Sequence, residues 1–108
     1  MRKEWEHANE HEQRTRCRVE LPALAVAAGR AAAAGDLETL RREAHSIKGI
    51  ALTFGITLLS EPAEAIEAAC AAGQAEPAQR LTALLGERLP NALIDLGRSV
   101  EALRGRQD

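Results

Sequence analysis

Apolar residues recur along this chain mostly at steps of three and four, the spacing that gathers them on one face of an α-helix. The longest such row is Leu81, Leu85, Leu89, Leu93, Leu96, Val100 and Leu103, within Pro77 to Leu103. It runs straight through Pro90, and that continuity predicts a kinked helix and not a break, with two helices joined near Leu89 as the alternative because the proline removes the bond to Gly86. The terminal RGRQD reads as a frayed end. From Thr57 to Ala72 the row is Leu59, Ala63, Ile66 and Cys70, closed by Gly73. Pro62 falls early in that helix, where a missing amide does least harm, if Thr57 or Ser60 marks the start. Glu20 to Ala34 places Leu21, Leu24, Ala27, Ala28 and Ala31 on one face, with Pro22 at a permitted early position. Before it, residues 1–18 are highly charged, and Met1, Trp5, Ala8, Thr15 and Val19 keep a rough heptad spacing that Glu12 interrupts. That segment reads as a helix packing through Trp5, or as a frayed or partner-bound tail.

The stretch from Leu37 to Gly55, LETLRREAHSIKGIALTFG, is the best defined. Asp36 is placed to accept hydrogen bonds from the free amides of the first turn, and Gly35 and Gly55 mark its breaks. At about 100° per residue, Leu40, Ile47, Ala51 and Phe54 fall on one side, with Leu37, Ala44 and Ile50 on its shoulders. His45 stands at the centre of the opposite face, flanked within about 60° by Arg41, Arg42, Lys48, Gly49 and Leu52. The short Gly35-Asp36 link makes this helix and its predecessor an antiparallel hairpin.

Composition narrows the architecture. Hydrophobic residues make up 45% of the 108, enough for one core, but close to half of them are Ala, with one Phe, one Trp and no Tyr. Such a core suits closely packed helices and not a sheet. The prediction is an all-α protein: an antiparallel up-down four-helix bundle with an additional N-terminal helix. Residues 1–18 form the charged helix or tail and residues 19–108 the bundle domain.

Charge and the remaining motifs remove several functions. A net charge of −2 argues against nucleic acid, whose phosphates require a basic face. No apolar run is long enough to cross a bilayer, and the charged N-terminus lacks the apolar stretch of a signal peptide, so the expectation is a cytoplasmic protein with no membrane contact. Cys17 and Cys70 lie far apart with no ligand spacing and read as two reduced thiols. His7 and His11 have the i, i+4 spacing of a metal pair but no third ligand in view, so no metal site is expected. No Gly-rich phosphate loop, nucleophile elbow or pocket-forming carboxylate pair appears, which argues against an enzyme with its own substrate pocket.

What remains is the face around His45. A neutral imidazole on a helix surface offers a ring-nitrogen lone pair near neutral pH and is a good nucleophile. Lys48, one turn along on the same face, is placed to attract and neutralise a phosphoryl group. Gly49 lowers helix stability by about 1 kcal/mol relative to Ala, and the space it leaves would let a partner close over the ring.

These residues carry a family resemblance. AHSIKGIALTFG resembles the signature of histidine-containing phosphotransfer domains, AHxLKG followed by two small residues and a Gly ten positions after the His; Ala44, His45, Ile47, Lys48, Gly49, Ala51 and Gly55 match in register. Upstream AAAAGDLETLRREAH and downstream LLSEPAEAIEAACAAG resemble the family's flanking helices, so the likeness spans Ala23 to Gly73. Ile50, where the family has Ser or Ala, and Pro62 depart from it. The resemblance implies a four-helix bundle in which His45 takes a phosphoryl group from one receiver-domain aspartate and passes it to another in a two-component phosphorelay. It also implies a phosphoryl carrier, not an enzyme. Response-regulator receivers or a hybrid sensor kinase would be its partners, and the receiver would bring the acidic pocket and the Mg²⁺. Arg41, Arg42 and Leu52 would belong to the docking surface, with Lys48 on the phosphate.

Two rivals are set beside this reading. One is a non-catalytic helical adaptor or dimerisation module in which His45 is incidental. The other is the phosphoacceptor region of a sensor kinase, which carries an acidic residue directly after its His; Ser46 stands there in this chain.

Overall fold

The computed structural model describes the backbone of residues 10–107 and the side chains of residues 16–94. The described backbone is entirely helical apart from short turns: α1 Glu10–Ala34, α2 Leu37–Phe54, α3 Thr57–Ala71 and α4 Ala75–Gln107. Each helix packs on the next, and α1 also packs on α4. Across the middle, α2 barely meets α4.

The three turns share one chemistry. At Gly55 the backbone enters the left-handed region with φ 69°, and the amide of Ile56 donates to the Ala51 carbonyl at 2.8 Å. A side chain at Gly55 would strain that conformation, so glycine there lets the last carbonyls of α2 find partners within two residues. Gly35 and Gly73 close α1 and α3 in the same way, through Asp36 to Ala31 and Gln74 to Ala69, both at 2.9 Å. Asp36 then starts α2, its carboxylate accepting from the Thr39 amide at 3.1 Å.

The core draws on all four helices. Leu21, Leu40, Ile47, Leu59, Ile66 and Leu85 are its largest sealed side chains, and Ala28, Ala44, Ala51, Ala63, Ala78 and Ala92 are fully buried between them. With so many methyl groups at the contacts, the helix axes can approach closely.

Two sequence expectations change, both for prolines. α1 runs continuously from Glu10 across residues 18 and 19, so Pro22 lies well inside it and not at its start. Proline removes one amide from the ladder, but Cys17 and Leu21, on the turns before it, are buried against the core and hold the helix through the gap. Trp5 and His7 lie outside the described residues, as does the side chain of His11. Pro62 is not in a first turn either, because α3 begins at Thr57. The carbonyl deprived of its amide by Pro62 is that of Leu58, and the Arg88 guanidinium on α4 donates to it at 3.4 Å. Pro90 sits within one helix, α4, as the unbroken apolar row predicts.

Candidate functional site

Four buried residues on α2, Leu40, Ala44, Ile47 and Ala51, fix how that helix is rolled. Once they face the core, His45 must face away, and its side chain is 71% exposed near the middle of the helix. Arg41 and Arg42 are exposed on the same flank, and Leu52 leaves 65% of its surface in solvent. The structure therefore brings His45, Arg41, Arg42, Lys48, Gly49 and Leu52 onto one face, as the helical spacing requires.

The ring is not isolated on that face. His45 Nδ1 lies 3.0 Å from Oε2 of Glu67, which reaches across from α3. A carboxylate only accepts, so Nδ1 carries the hydrogen and donates it. The neutral ring is thereby held as the Nδ1–H tautomer, and Nε2 keeps the lone pair. Lys48 completes the arrangement: its Nζ stands 2.8 Å from the other Glu67 oxygen. That oxygen is sealed from solvent and met by no well-aligned hydrogen bond, so charge attraction across the short gap is what compensates it.

The electrostatics agree with this geometry. Burial pushes the Glu67 carboxyl up, but its contacts with Lys48 and His45 outweigh that and hold it below the ordinary value of 4.5. The same contact raises the Lys48 ammonium above 10.5 against a smaller effect of burial, with Glu64 adding to the rise. Glu67 is thus an anion at neutral pH, shared between a cation and an imidazole.

Gly49 lies one turn from His45, and a methyl group built on it would meet nothing within 4 Å. This chain's own packing does not demand glycine there. Next to it, between α1 and α2, runs an open groove lined by Cys17, Leu24, Ile50 and Phe54, with Arg16 and Glu20 among its polar residues. Cys17 and Cys70 are both buried and form no disulfide, and burial pushes the Cys70 thiol up. Among the described residues no three His, Cys, Asp or Glu side chains gather as a metal site, and no helix is long and apolar enough to cross a membrane.

Glu67 is the site residue that helical spacing alone did not single out. It sits beside Ile66 at the edge of the α3 buried row, one of three acids on that helix with Glu61 and Glu64. Its role depends on how far α3 is rolled and shifted against α2, which a single-helix projection does not contain.

On this all-helical scaffold a solvent-facing histidine stands at the centre of a helical flank, hydrogen-bonded to a carboxylate and accompanied by a lysine. The model of the Hpt domain family matches residues 12–104, and the chain belongs to that family. Hpt domains are the histidine-phosphotransfer modules of two-component signalling, phosphoryl carriers that work with receiver domains and kinases. No curated protein and no solved structure was found to match the chain.

Proposed function

We propose that this protein is a phosphorelay intermediate of the cytoplasm, built as an up-down four-helix bundle, in which His45 Nε2 accepts a phosphoryl group from a receiver-domain aspartate and passes it to another. The observation that carries this reading is the pairing of an exposed His45 ring with Glu67 at Nδ1, which leaves Nε2 as the nucleophilic nitrogen facing solvent.

The chemistry needs little from this chain beyond position. The Nε2 lone pair attacks phosphorus in line as the bond to the aspartyl oxygen breaks, and the electron pair leaves with the aspartate carboxylate. The receiver would contribute its acidic pocket, and a Mg²⁺ held there would supply charge neutralisation for the transferred group. Glu67 prevents the ring from turning and from presenting the wrong nitrogen. Lys48, one turn along the helix and paired with Glu67, would add positive charge beside the incoming phosphate. Arg41, Arg42 and the exposed Leu52 surround the ring and would meet the receiver, a mixed polar and apolar rim suited to a short-lived complex.

The test is incubation with a phosphorylated receiver domain. The wild-type chain gains acid-labile, base-stable label, and His45→Gln gains none. Equal labelling of both would remove His45 from the mechanism, and no labelling of the wild type by any receiver would favour a helical adaptor.

A further inference from the structure

We propose that the Glu67 carboxylate sets how long the phosphoryl group stays on His45, by keeping a proton on Nδ1 after Nε2 has been phosphorylated. This rests on the phosphotransfer reading and concerns the lifetime of its intermediate.

The argument begins with the contact at 3.0 Å between Nδ1 and Oε2, made by a Glu67 side chain only 18% exposed. When the neutral ring forms its N–P bond, no proton leaves: the ring becomes a phosphoimidazolium that still carries hydrogen on Nδ1. Its positive charge then lies directly against Glu67, and a hydrogen bond between ions is stronger than one between neutral groups. The proton is consequently harder to remove than it would be beside a neutral acceptor.

That proton governs how easily the phosphoryl group departs. In transfer, an acceptor aspartate oxygen bonds to phosphorus and the N–P electron pair returns to Nε2. In hydrolysis, water does the same and its protons go to the released phosphate and to solvent. With Nδ1 protonated the leaving group is a neutral imidazole, and without that proton it is an imidazolate anion, a far poorer one. Glu67 thus extends the labile form to higher pH. A site so built is suited to passing its phosphate on quickly and unsuited to storing it.

The surrounding charges modulate this without replacing it. Lys48 on α2 takes the other Glu67 oxygen and opposes the effect, while Glu64 on α3 acts on Lys48. Arg41 on α2 adds positive charge near Cys70 of α3, where it opposes the upward push of burial. On the α1 side Arg16 and Glu20 line the groove beyond Gly49, and from α4 Arg88 is engaged with the Leu58 carbonyl.

The experiment labels the full chain with phosphoramidate, a small phosphoryl donor that needs no partner, and follows the His45 adduct by phosphorus NMR. Decay is measured from about pH 5 to about pH 9, the range in which imidazoles titrate. All forms should decay alike at the acid end. Glu67→Gln, which keeps size and an acceptor oxygen but removes charge, should move the midpoint of the decay profile down by about one unit, giving a roughly tenfold longer half-life between the two midpoints. Lys48→Ala should move the midpoint up. A purely structural role for Glu67 would leave the midpoint in place, which circular dichroism of the variants helps to establish. A Glu67→Gln profile that superimposes on wild type, or one shifted upward, overturns the inference. Receiver-dependent labelling is measured separately: its absence overturns the phosphotransfer reading, while the chemical label still reports on Glu67.

Discussion

His45 and Glu67 are 22 residues apart in the chain and on different helices, yet Nδ1 of one meets Oε2 of the other at 3.0 Å. The contact ties the rotation of the His45 ring to the packing of α2 on α3. Whatever disturbs that packing disturbs the ring.

Gly49→Ala separates folding from function. A methyl group there meets nothing in this chain, so the helix should gain about 1 kcal/mol in stability, read as a higher denaturation midpoint. Transfer from a phosphorylated receiver should slow, because the added carbon stands one turn from the ring in the space a partner would enter. Unchanged transfer would show that Gly49 has no part in access.

Pro22→Ala examines the continuity of α1. If the helix runs through residue 22, as it does here, the change restores an N–H that donates a hydrogen bond to the Arg18 carbonyl and should stabilise the protein by up to about 3 kcal/mol in chemical denaturation. A helix that instead began near Glu20 would lose a favourable first-turn proline and would be unaffected or weakened.

Ile66→Ala should cost about 2–5 kcal/mol, since the side chain is fully buried in α3 and its loss leaves a cavity among residues of neighbouring helices. It should also reduce the rate of phosphoryl acceptance in protein that remains folded, because Glu67 is the next residue and shares its helical roll. Normal acceptance in the folded variant would mean that the ring does not depend on α3 for its orientation.

The pH dependence of stability follows from the two displaced groups. The Glu67 carboxyl is held below 4.5 in the folded chain, so its contribution is present above that value and lost as pH falls through the lower folded one. The Lys48 ammonium is raised above 10.5, so its share is present below that value and lost as pH rises through the folded one. Thermal midpoints of wild type and Glu67→Gln should differ between these limits and converge in strong acid, with Asp36, also lowered by its bond to Thr39, adding to the acid decline of both. A difference that persists in strong acid would show that Glu67 contributes through packing and not charge.

How much of this was legible beforehand follows from the range of each interaction. The limits and roll of α2 depend on Asp36, Gly55 and the Leu40 to Ala51 stripe, all within one helix, and the sequence discloses them. The exposed position of His45 comes with them. The continuity of α1 through Pro22 was not legible, because it depends on Cys17 and Leu21 finding the core, a tertiary gain that overrides a local rule. Likewise the Leu58 carbonyl freed by Pro62 is met by Arg88, and Glu67 meets His45, only after separate helices have been set side by side.

The most direct measurement is nitrogen and phosphorus NMR of the chain, carrying isotope-labelled histidine, after phosphorylation by a receiver domain. The account requires a phosphorus coupling to Nε2 of His45, with hydrogen retained on Nδ1. Phosphorus on Nδ1 of His45, or on His7 or His11 instead, would contradict it.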